Sequence, residues 1–429
     1  MKVLVIGGGG REHAICWQLS RCPSVSQVFV TPGNPGCAAV ATLAAAPEYT
    51  PQGYLAVARQ AGADLTVVGP EAPLVDGVVD TFRQAGLLII GPSSEAARLE
   101  GSKIFAKRFM QRAGIPTARF VVAEDAAAAL RALDEFAFPL VIKADGLAAG
   151  KGVLIVHDRA EAEPVIQAMF AGALVGSAGQ RAVIEEFLEG EEVSFIGLTD
   201  GERIVALEPS QDHKRIGDDD EGPNTGGMGA YSDSRILDEA LRARVMREVM
   251  QPVIDQMQRD GSPFTGFLYA GLMMTAEGPK VLEYNVRLGD PETQALLHRI
   301  EGDFGALLHS AAVGNVDARN LSFRADPSVC VVLAASGYPG RVRTGDLITG
   351  IEAAEAAGAV VFHAGTKSSP EGLVTSGGRV LGVTHSGGTL PEAIRNVYEA
   401  VKLIRFDGMQ LRHDIGRKGL ARWPVTAGS

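Results

Sequence analysis

Val281-Leu282-Glu283-Tyr284-Asn285-Val286-Arg287 opens as a strand, and it places Glu283 and Asn285 two residues apart. Alternate side chains of a strand share a face, so these two oxygen-bearing groups point the same way while Tyr284 points the other. Two oxygen donors on one face suit a hard cation such as Mg²⁺, which binds few protein groups and completes its shell with water and substrate phosphates. Arg287 follows where the strand opens into a loop, and a permanently charged fork there can stabilise a phosphoryl group in transfer. On its own the segment is also what a polar edge strand running into a turn at Gly289-Asp290-Pro291 looks like. The rest of the chain has to decide between the two.

Other segments carry complementary chemistry. Gly146 to Gly152 is a glycine-rich loop between two apolar runs, Leu140 to Lys143 and Val153 to Val156. It fails the Walker A spacing and joins two strands, so it reads as a flap closing over phosphates, with Lys143 beneath it. The alternative is a mobile surface hairpin. Glu185 to Glu192 holds Phe187-Leu188 between carboxylates, as a hinge between two sheets would. At the N-terminus, Gly7-Gly8-Gly9-Gly10 follows a strand and opens a helix, where backbone N–H groups can meet an anion. The dinucleotide fingerprint is broken, because its third glycine would fall on Glu12 and no acid follows at the ribose position. A phosphate site for another ligand and a purely structural turn both remain open. Pro32 to Gly36 and Gly69 to Leu74 follow the next strands, at the same carboxyl edge, where open α/β sheets bind ligands.

These residues must be positioned by several units, since 429 residues exceed one ordinary core. Short apolar strands at Val3 to Ile6, Val28 to Val30, Leu65 to Val68 and Leu87 to Ile90, with helices between, predict a doubly wound parallel sheet. Asp200-Gly201 and Glu277-Gly278 mark hairpins in an antiparallel section. The tail carries strands at Val329 to Leu333, Val360 to His363 and Val380 to Thr384, then a helix opening at Thr389-x-x-Glu392. The expected fold class is α/β and α+β multidomain, with expected domains at 1–101, 102–190, 191–322 and 323–429.

Net charge of −11 and pI near 5.3 argue against a general nucleic-acid or membrane surface. Four cysteines without zinc or paired spacing suggest reduced thiols. The opening strand predicts no signal peptide, and no apolar run reaches membrane-span length, so the expected location is cytoplasmic.

The flap, the Glu-rich hinge and the Glu-x-Asn-x-Arg strand, in this order, resemble the ATP-grasp superfamily of carboxylate–amine ligases. Within it, Gly-Gly-Gly-Gly-Arg-Glu-His at 7–13, Pro-Gly-Asn-Pro-Gly at 32–36 and Lys-Ala-Asp-Gly-Leu-Ala-Ala-Gly-Lys-Gly-Val at 143–153 are similar to the phosphoribosylamine–glycine ligase (glycinamide ribonucleotide synthetase) family. So are Gln211 to Arg215, Asn224 to Gly229, Asn285 to Gln294, Ala334 to Pro339 and Thr375 to Arg379.

The resemblance implies an N-terminal substrate-binding domain, ATP-grasp central domains with a small lid, and a mostly β C-terminal domain. It implies ATP as co-substrate, Mg²⁺ (or Mn²⁺) as metal, and glycine and 5-phospho-ribosylamine as small-molecule substrates of de novo purine biosynthesis. The expected state is a monomer, with a weak dimer as the alternative. Carried over residue by residue, Arg287 and Lys143 are catalytic, and Lys103, Lys143, Gly150 and Lys151 meet the phosphates. Glu185, Phe187 and Leu188 hold adenine, Glu192 the ribose, and Glu283 and Asn285 the metal. Asp290 and Glu292 are candidates for the glycine amine. Gly9, Gly10, Asn34, Asp212 and Lys214 are candidates for phosphoribosylamine. The strand pairing with Glu283 carries no acid, so a second metal would need water, phosphate or Glu277, and Asp218 to Glu221 reads as a solvated loop.

Overall fold

A computed structural model describes residues 1–146, 152–174 and 179–422. β1 (Lys2–Gly7), β2 (Gln27–Pro32), β3 (Thr42–Leu43), β4 (Leu65–Val68) and β5 (Ile89–Ile90) form a parallel sheet in the order β3-β2-β1-β4-β5. Val3 to Ile6 are fully buried, as expected of a strand covered by helices on both faces. The order reverses around β1, so the crevice at its carboxyl end is the topological switch point. The expected strand at Leu87 to Ile90 is shortened to its last two residues.

β6 (Phe120–Ala123), β7 (Leu140–Ala144), β8 (Val153–Val156) and β9 (Ala182–Glu186) make a second, antiparallel sheet in the order β6-β9-β7-β8. It is backed by its own small core around Leu140, Ile142, Ile166 and Ile184.

The third sheet is built from β10 (Glu191–Thr199), β11 (Ile204–Ala206), β12 (Ser210–Asp212), β13 (Gly229–Ser232), β14 (Gly266–Thr275) and β15 (Gly278–Asn285), and it continues into the tail through β16 (Ser328–Ala334) and β17 (Val360–His363). A hairpin of β18 (Thr366–Ser369) and β19 (Gly372–Thr375) precedes β20 (Arg379–Ser386). The order is β15-β14-β10-β12-β13-β16-β20-β17, with β11 on β10. The tail strands therefore extend the sheet that carries Glu283, through pairing of β13 with β16.

One irregularity matters. β14 and β15 pair Gly271 with Glu283 but Leu272 with Val281, leaving Leu282 as a bulge. Beyond it Tyr284 turns into the core, where its hydroxyl donates to the Val249 carbonyl at 2.9 Å, and Glu283 and Asn285 keep the opposite face.

The acidic loop is exposed at Asp219 to Glu221, as expected, and it is also ion-paired. Arg412 pairs with Asp220 at 2.8 Å, Lys418 with Asp220 at 2.7 Å, His413 with Asp218 at 3.1 Å, and Arg417 with Asp219. These contacts pin residues 218–220 to the C-terminal segment. Charge complementarity 190 residues away in sequence was invisible to local reading.

Candidate active site

The metal-and-phosphoryl face forms where β15 meets the N-terminal unit. Arg287 donates from Nη2 to Glu100 Oε1 at 2.7 Å, and its Nε lies 3.3 Å from Glu71 Oε2. Glu100 Oε2 accepts the Val286 amide at 2.8 Å, so one carboxylate fixes both the loop and the guanidinium. Burial alone would lower the Arg287 pKa, but Glu100 and Glu71 outweigh it and raise it. Arg287 also donates to Asn285 Oδ1 at 3.3 Å, tying it to the candidate metal donors. Glu71 and Glu100 escaped the sequence reading. Glu71 had a signal in its loop at the carboxyl edge, and Glu100 had none.

Glu283 faces cations from three elements. Burial would raise its pKa, but Lys214, Lys143, Lys103 and Arg287 reverse that and lower it. Lys214 Nζ lies 4.0 Å from Glu283 and 2.9 Å from Glu192. Lys214 is raised chiefly by Glu192.

Lys143 donates to the Leu282 carbonyl at 2.9 Å and lies 3.0 Å from Glu185 Oε2. Leu282 is the bulged residue, so the irregularity in β15 places the carbonyl that aims Lys143. Lys103, at the first turn of the helix Lys103–Ala113, donates to the Gly146 carbonyl at 3.0 Å. Burial lowers its pKa, with Lys143 adding to the effect against Glu283. Asp145, another residue the sequence reading passed over, binds Ser102 Oγ at 2.8 Å, the Ile104 amide at 3.2 Å and Arg181 at 2.6 Å. It fastens the helix bearing Lys103 to the root of the flap. Gly150 and Lys151 lie outside the described residues.

Glu185 is 1% exposed, and among the described residues its Oε1 has no hydrogen-bond partner. A buried carboxylate oxygen left open is costly unless a donor arrives. Beside it, Leu188, Ala118 and Met273, with Leu282, form a small apolar wall between the second and third sheets. Phe187 is 36% exposed.

A small cavity of about 10 Å³ opens next to this face, lined by Glu192, Ser194, Asp212, Lys214 and Tyr269 with the apolar Val193 and Leu272. Glu292 Oε1 accepts from Tyr269 at 2.7 Å and Ser194 at 3.1 Å. Burial pushes the Asp212 carboxyl well up, and Glu292 adds to it. Asp290 lies apart from Glu292: it accepts from Gln294 at 2.9 Å and sits 3.5 Å from Arg379 Nη2. Burial would raise Asp290, but Arg379 and Arg11 lower it. Arg379 also donates to the carbonyls of Gly226 and Asp290, both at 2.6 Å, and Tyr338 accepts the Gly226 amide at 2.9 Å. The tail thus braces the Asn224 to Gly229 loop, a role the sequence reading did not give Arg379.

At the switch point the loops after β1, β2 and β4 meet. Glu12 occupies the place of the missing fingerprint glycine: its Oε2 accepts the Gly9 amide at 2.6 Å and its Oε1 the Arg11 Nε at 2.6 Å. The Gly9 amide is therefore already satisfied, and a buried carboxylate stands where a dinucleotide pyrophosphate would lie. Asn34 donates to the carbonyls of Gly8 at 3.0 Å and His363 at 2.8 Å and accepts the Cys37 amide at 3.1 Å. Its amide shapes the pocket wall from within. A Cβ on Gly8 would come 2.8 Å from the Gly33 carbonyl oxygen. Gly8→Ala is expected to raise KM for the substrate seated on these loops by about tenfold or more while leaving KM for the phosphate donor within about twofold; initial-rate kinetics with each substrate varied decides it.

The donor set fits a hard divalent cation in part: an ionised carboxylate and an amide oxygen share one face. Among the described residues no group of three or more His, Cys, Asp or Glu could hold a metal alone. Phosphate and water oxygens must complete the shell. Glu277 cannot contribute. It lies in the turn before β15, roughly 20 Å from Glu283 at about 3.4 Å per residue, and is paired with Lys280 at 2.8 Å.

A switch-point sheet, a small antiparallel sheet whose strands β7 and β8 flank a glycine-rich sequence, and a Glu-x-Asn-x-Arg strand define an ATP-grasp ligase. Models of the phosphoribosylglycinamide synthetase N domain, ATP-grasp (A) domain and C domain match residues 1–100, 101–293 and 328–418. The chain belongs to the phosphoribosylglycinamide synthetase family. It is 51% identical to a phosphoribosylamine–glycine ligase of Ralstonia nicotianae, over 98% of this chain and 100% of that one. It is 48% identical to that of Vibrio cholerae, over 98% and 99%. The crystal structure of the Thermotoga maritima phosphoribosylamine–glycine ligase superposes with a TM-score of 0.85 at 35% identity, over 97% of this chain and 100% of that one. The biotin carboxylase domain of a Hydrogenobacter thermophilus 2-oxoglutarate carboxylase shares the fold at TM-score 0.73 and 17% identity, over 96% and 91%. Among the described residues no helix is long and apolar enough to cross a membrane.

Proposed function

We propose that this chain joins glycine to 5-phospho-ribosylamine at the expense of ATP, giving glycinamide ribonucleotide, ADP and phosphate. The observation that carries the reading is the convergence of Lys103, Lys143, Lys214 and Arg287 on Glu283, on the face that also presents Asn285. In the first step a glycine carboxylate oxygen attacks the γ-phosphorus and ADP leaves, forming glycyl phosphate. In the second the ribosylamine nitrogen attacks the acyl carbon, phosphate departs and the nitrogen gives up a proton. The nucleophiles are substrates, so the protein's work is positioning and charge stabilisation.

Adenine lies against the Leu188–Met273 wall, where its exocyclic amine can supply the donor that Glu185 Oε1 lacks. Glu192 meets the ribose, and Lys103, Lys143 and the flap's Gly150 and Lys151 meet the phosphates. Glu283 and Asn285 would hold Mg²⁺, or Mn²⁺ in its place, which would neutralise phosphate charge. Arg287, braced by Glu71 and Glu100, faces the transferring phosphoryl group.

The two glycine candidates are assigned to different substrate groups. Glu292 accepts from Tyr269 and Ser194, which line the cavity beside Asp212, and this supports a role at the amino acid's ammonium. Asp290, beside Arg379, faces the switch-point loops of Gly9, Gly10 and Asn34, which suits the phosphoribosyl amine. Lys214 spans both. The enzyme works in the cytoplasm on small molecules, as a monomer. The test is ADP release with ATP–Mg²⁺, glycine and phosphoribosylamine generated in the assay. Turnover dependent on all of them is expected; turnover only with a different amino acid or amine would overturn the assignment.

A further inference from the structure

A buried lysine with no part in the chemistry above sits behind Glu185. Lys107 lies one turn beyond Lys103 on the same helix, and its side chain is 2% exposed. Its Nζ is 2.9 Å from Glu185 Oε2 and 2.8 Å from Thr117 Oγ1. Thr117 in turn donates to the Val281 carbonyl at 2.6 Å, in the strand that ends with Glu283 and Asn285. One ammonium thus joins the helix carrying Lys103, the strand carrying Glu185 and the strand carrying the metal donors.

Burying an ammonium is costly, and an apolar side chain of similar length would fill the space without that cost. The burial shows in its pKa, which desolvation lowers to about 8 against the pull of Glu185. The geometry shows what the charge provides. Glu185 Oε2 is shared between Lys107 at 2.9 Å and Lys143 at 3.0 Å. Lys143 has three N–H groups. One is donated to the Leu282 carbonyl while the ammonium lies 3.0 Å from Glu185, which leaves a third for a phosphate. With Lys107 absent, Lys143 would be the sole counter-charge of a carboxylate 1% exposed, and the pair would close on itself.

We propose that Lys107 is a positioning residue for ATP: by balancing Glu185 it keeps the third donor of Lys143 turned to the phosphates and Glu185 Oε1 open to the base. This rests on the ATP reading above. Lys107 touches neither reacting atoms nor metal donors and acts only through Glu185.

The test is a double-substitution cycle on the full chain. Lys107→Met is expected to raise KM for ATP about tenfold and lower kcat about tenfold, with KM for glycine within about twofold. Lys107→Arg, which keeps the charge, should recover kcat/KM for ATP to within about fivefold of the wild type. Adding Glu185→Gln removes the unbalanced charge, so Lys107→Met in that background should cost less than about threefold in kcat/KM for ATP, far below its cost alone. Equal rises in every KM, an unchanged kcat/KM for ATP, or multiplicative effects in the double variant would overturn the proposal. Should Lys107→Met fail to fold, Lys107→Met/Glu185→Gln against Glu185→Gln carries the test, and a loss above about tenfold there overturns it. Titration of ATP–Mg²⁺ into the wild-type protein separates the two ideas. No binding there removes the ATP reading itself, whereas binding with an indifferent Lys107 removes only this inference.

Discussion

Arg287→Ala is expected to lower kcat by about 10³-fold while leaving the affinity for ATP–Mg²⁺ within about threefold. The asymmetry follows from where the side chain is held. Glu100 and Glu71 fix the guanidinium at 2.7 and 3.3 Å before any substrate arrives, so its alignment costs nothing at the moment of transfer. In the proposed site adenine and ribose lie elsewhere, at the hinge, and the triphosphate would retain Lys103 and Lys143. What is lost is the interaction that grows as charge spreads over the transferring phosphoryl oxygens and then over the acyl phosphate. Removal also strands Glu100, whose side chain is 7% exposed, at a stability cost of about 3–5 kcal/mol; Glu71, at 34% exposure, adds little. Arg287→Lys keeps Glu100 paired but gives up the planar fork, and it should fold normally while still losing at least about tenfold in kcat. Single-turnover ADP release and calorimetric ATP titration measure the two quantities. Turnover unchanged in a folded Arg287→Ala protein would remove Arg287 from the mechanism.

The periodic parts of this chain announced themselves. Val3 to Ile6 and Leu65 to Val68 are strands because unbroken apolar runs bounded by glycine have no other cheap conformation, and the hairpins at Asp200-Gly201 and Glu277-Gly278 form where the turn residues allow. Glu283, Asn285 and Arg287 were legible because a period of two is local. The supports of the site were not. Glu100 reaches Arg287 across 187 residues and Arg379 reaches the Gly226 carbonyl across 153, and no spacing rule connects such pairs. Glu12 looked like a defect in a glycine fingerprint, yet it is the carboxylate around which the loop closes. The bulge at Leu282 was hidden for a different reason. Alternation reads the same on either side of an inserted residue, and only the partner strand reveals the slip. Asp219 and Asp220 keep the exposure expected of a run of acids, but no local pattern showed that Arg412, Arg417 and Lys418 meet them.

Glu283→Gln should raise the Mg²⁺ concentration giving half-maximal rate by about tenfold or more and lower kcat by about 10²-fold at saturating metal. The size of the effect comes from how little else the protein offers. β14, the neighbouring strand, contains no acid from Gly266 to Thr275, and Glu277 is spent on Lys280 at the far end of the hairpin. Asn285 brings a neutral oxygen that already accepts from Arg287. Of the proposed metal donors Glu283 is the only one with a charge, so its removal leaves the metal to the phosphates, water and one amide. The same geometry fixes the pH response. Burial would raise Glu283, but Lys214, Lys143 and Lys103 hold it below the ordinary carboxylate value, so it is ionised throughout the neutral range. The Mg²⁺ requirement should therefore be flat between about pH 6 and 8 and should tighten no further as pH rises, with loss appearing only as pH falls through the depressed value. Titrating Mg²⁺ at fixed ATP over that range checks both statements. A half-saturation point that moves by more than about threefold between pH 6 and 8 in the wild type, or that is untouched in Glu283→Gln, would take the metal away from this carboxylate. A carboxylate flanked by three lysines would then serve to orient Lys214, at 4.0 Å, and the metal would be held by the nucleotide alone.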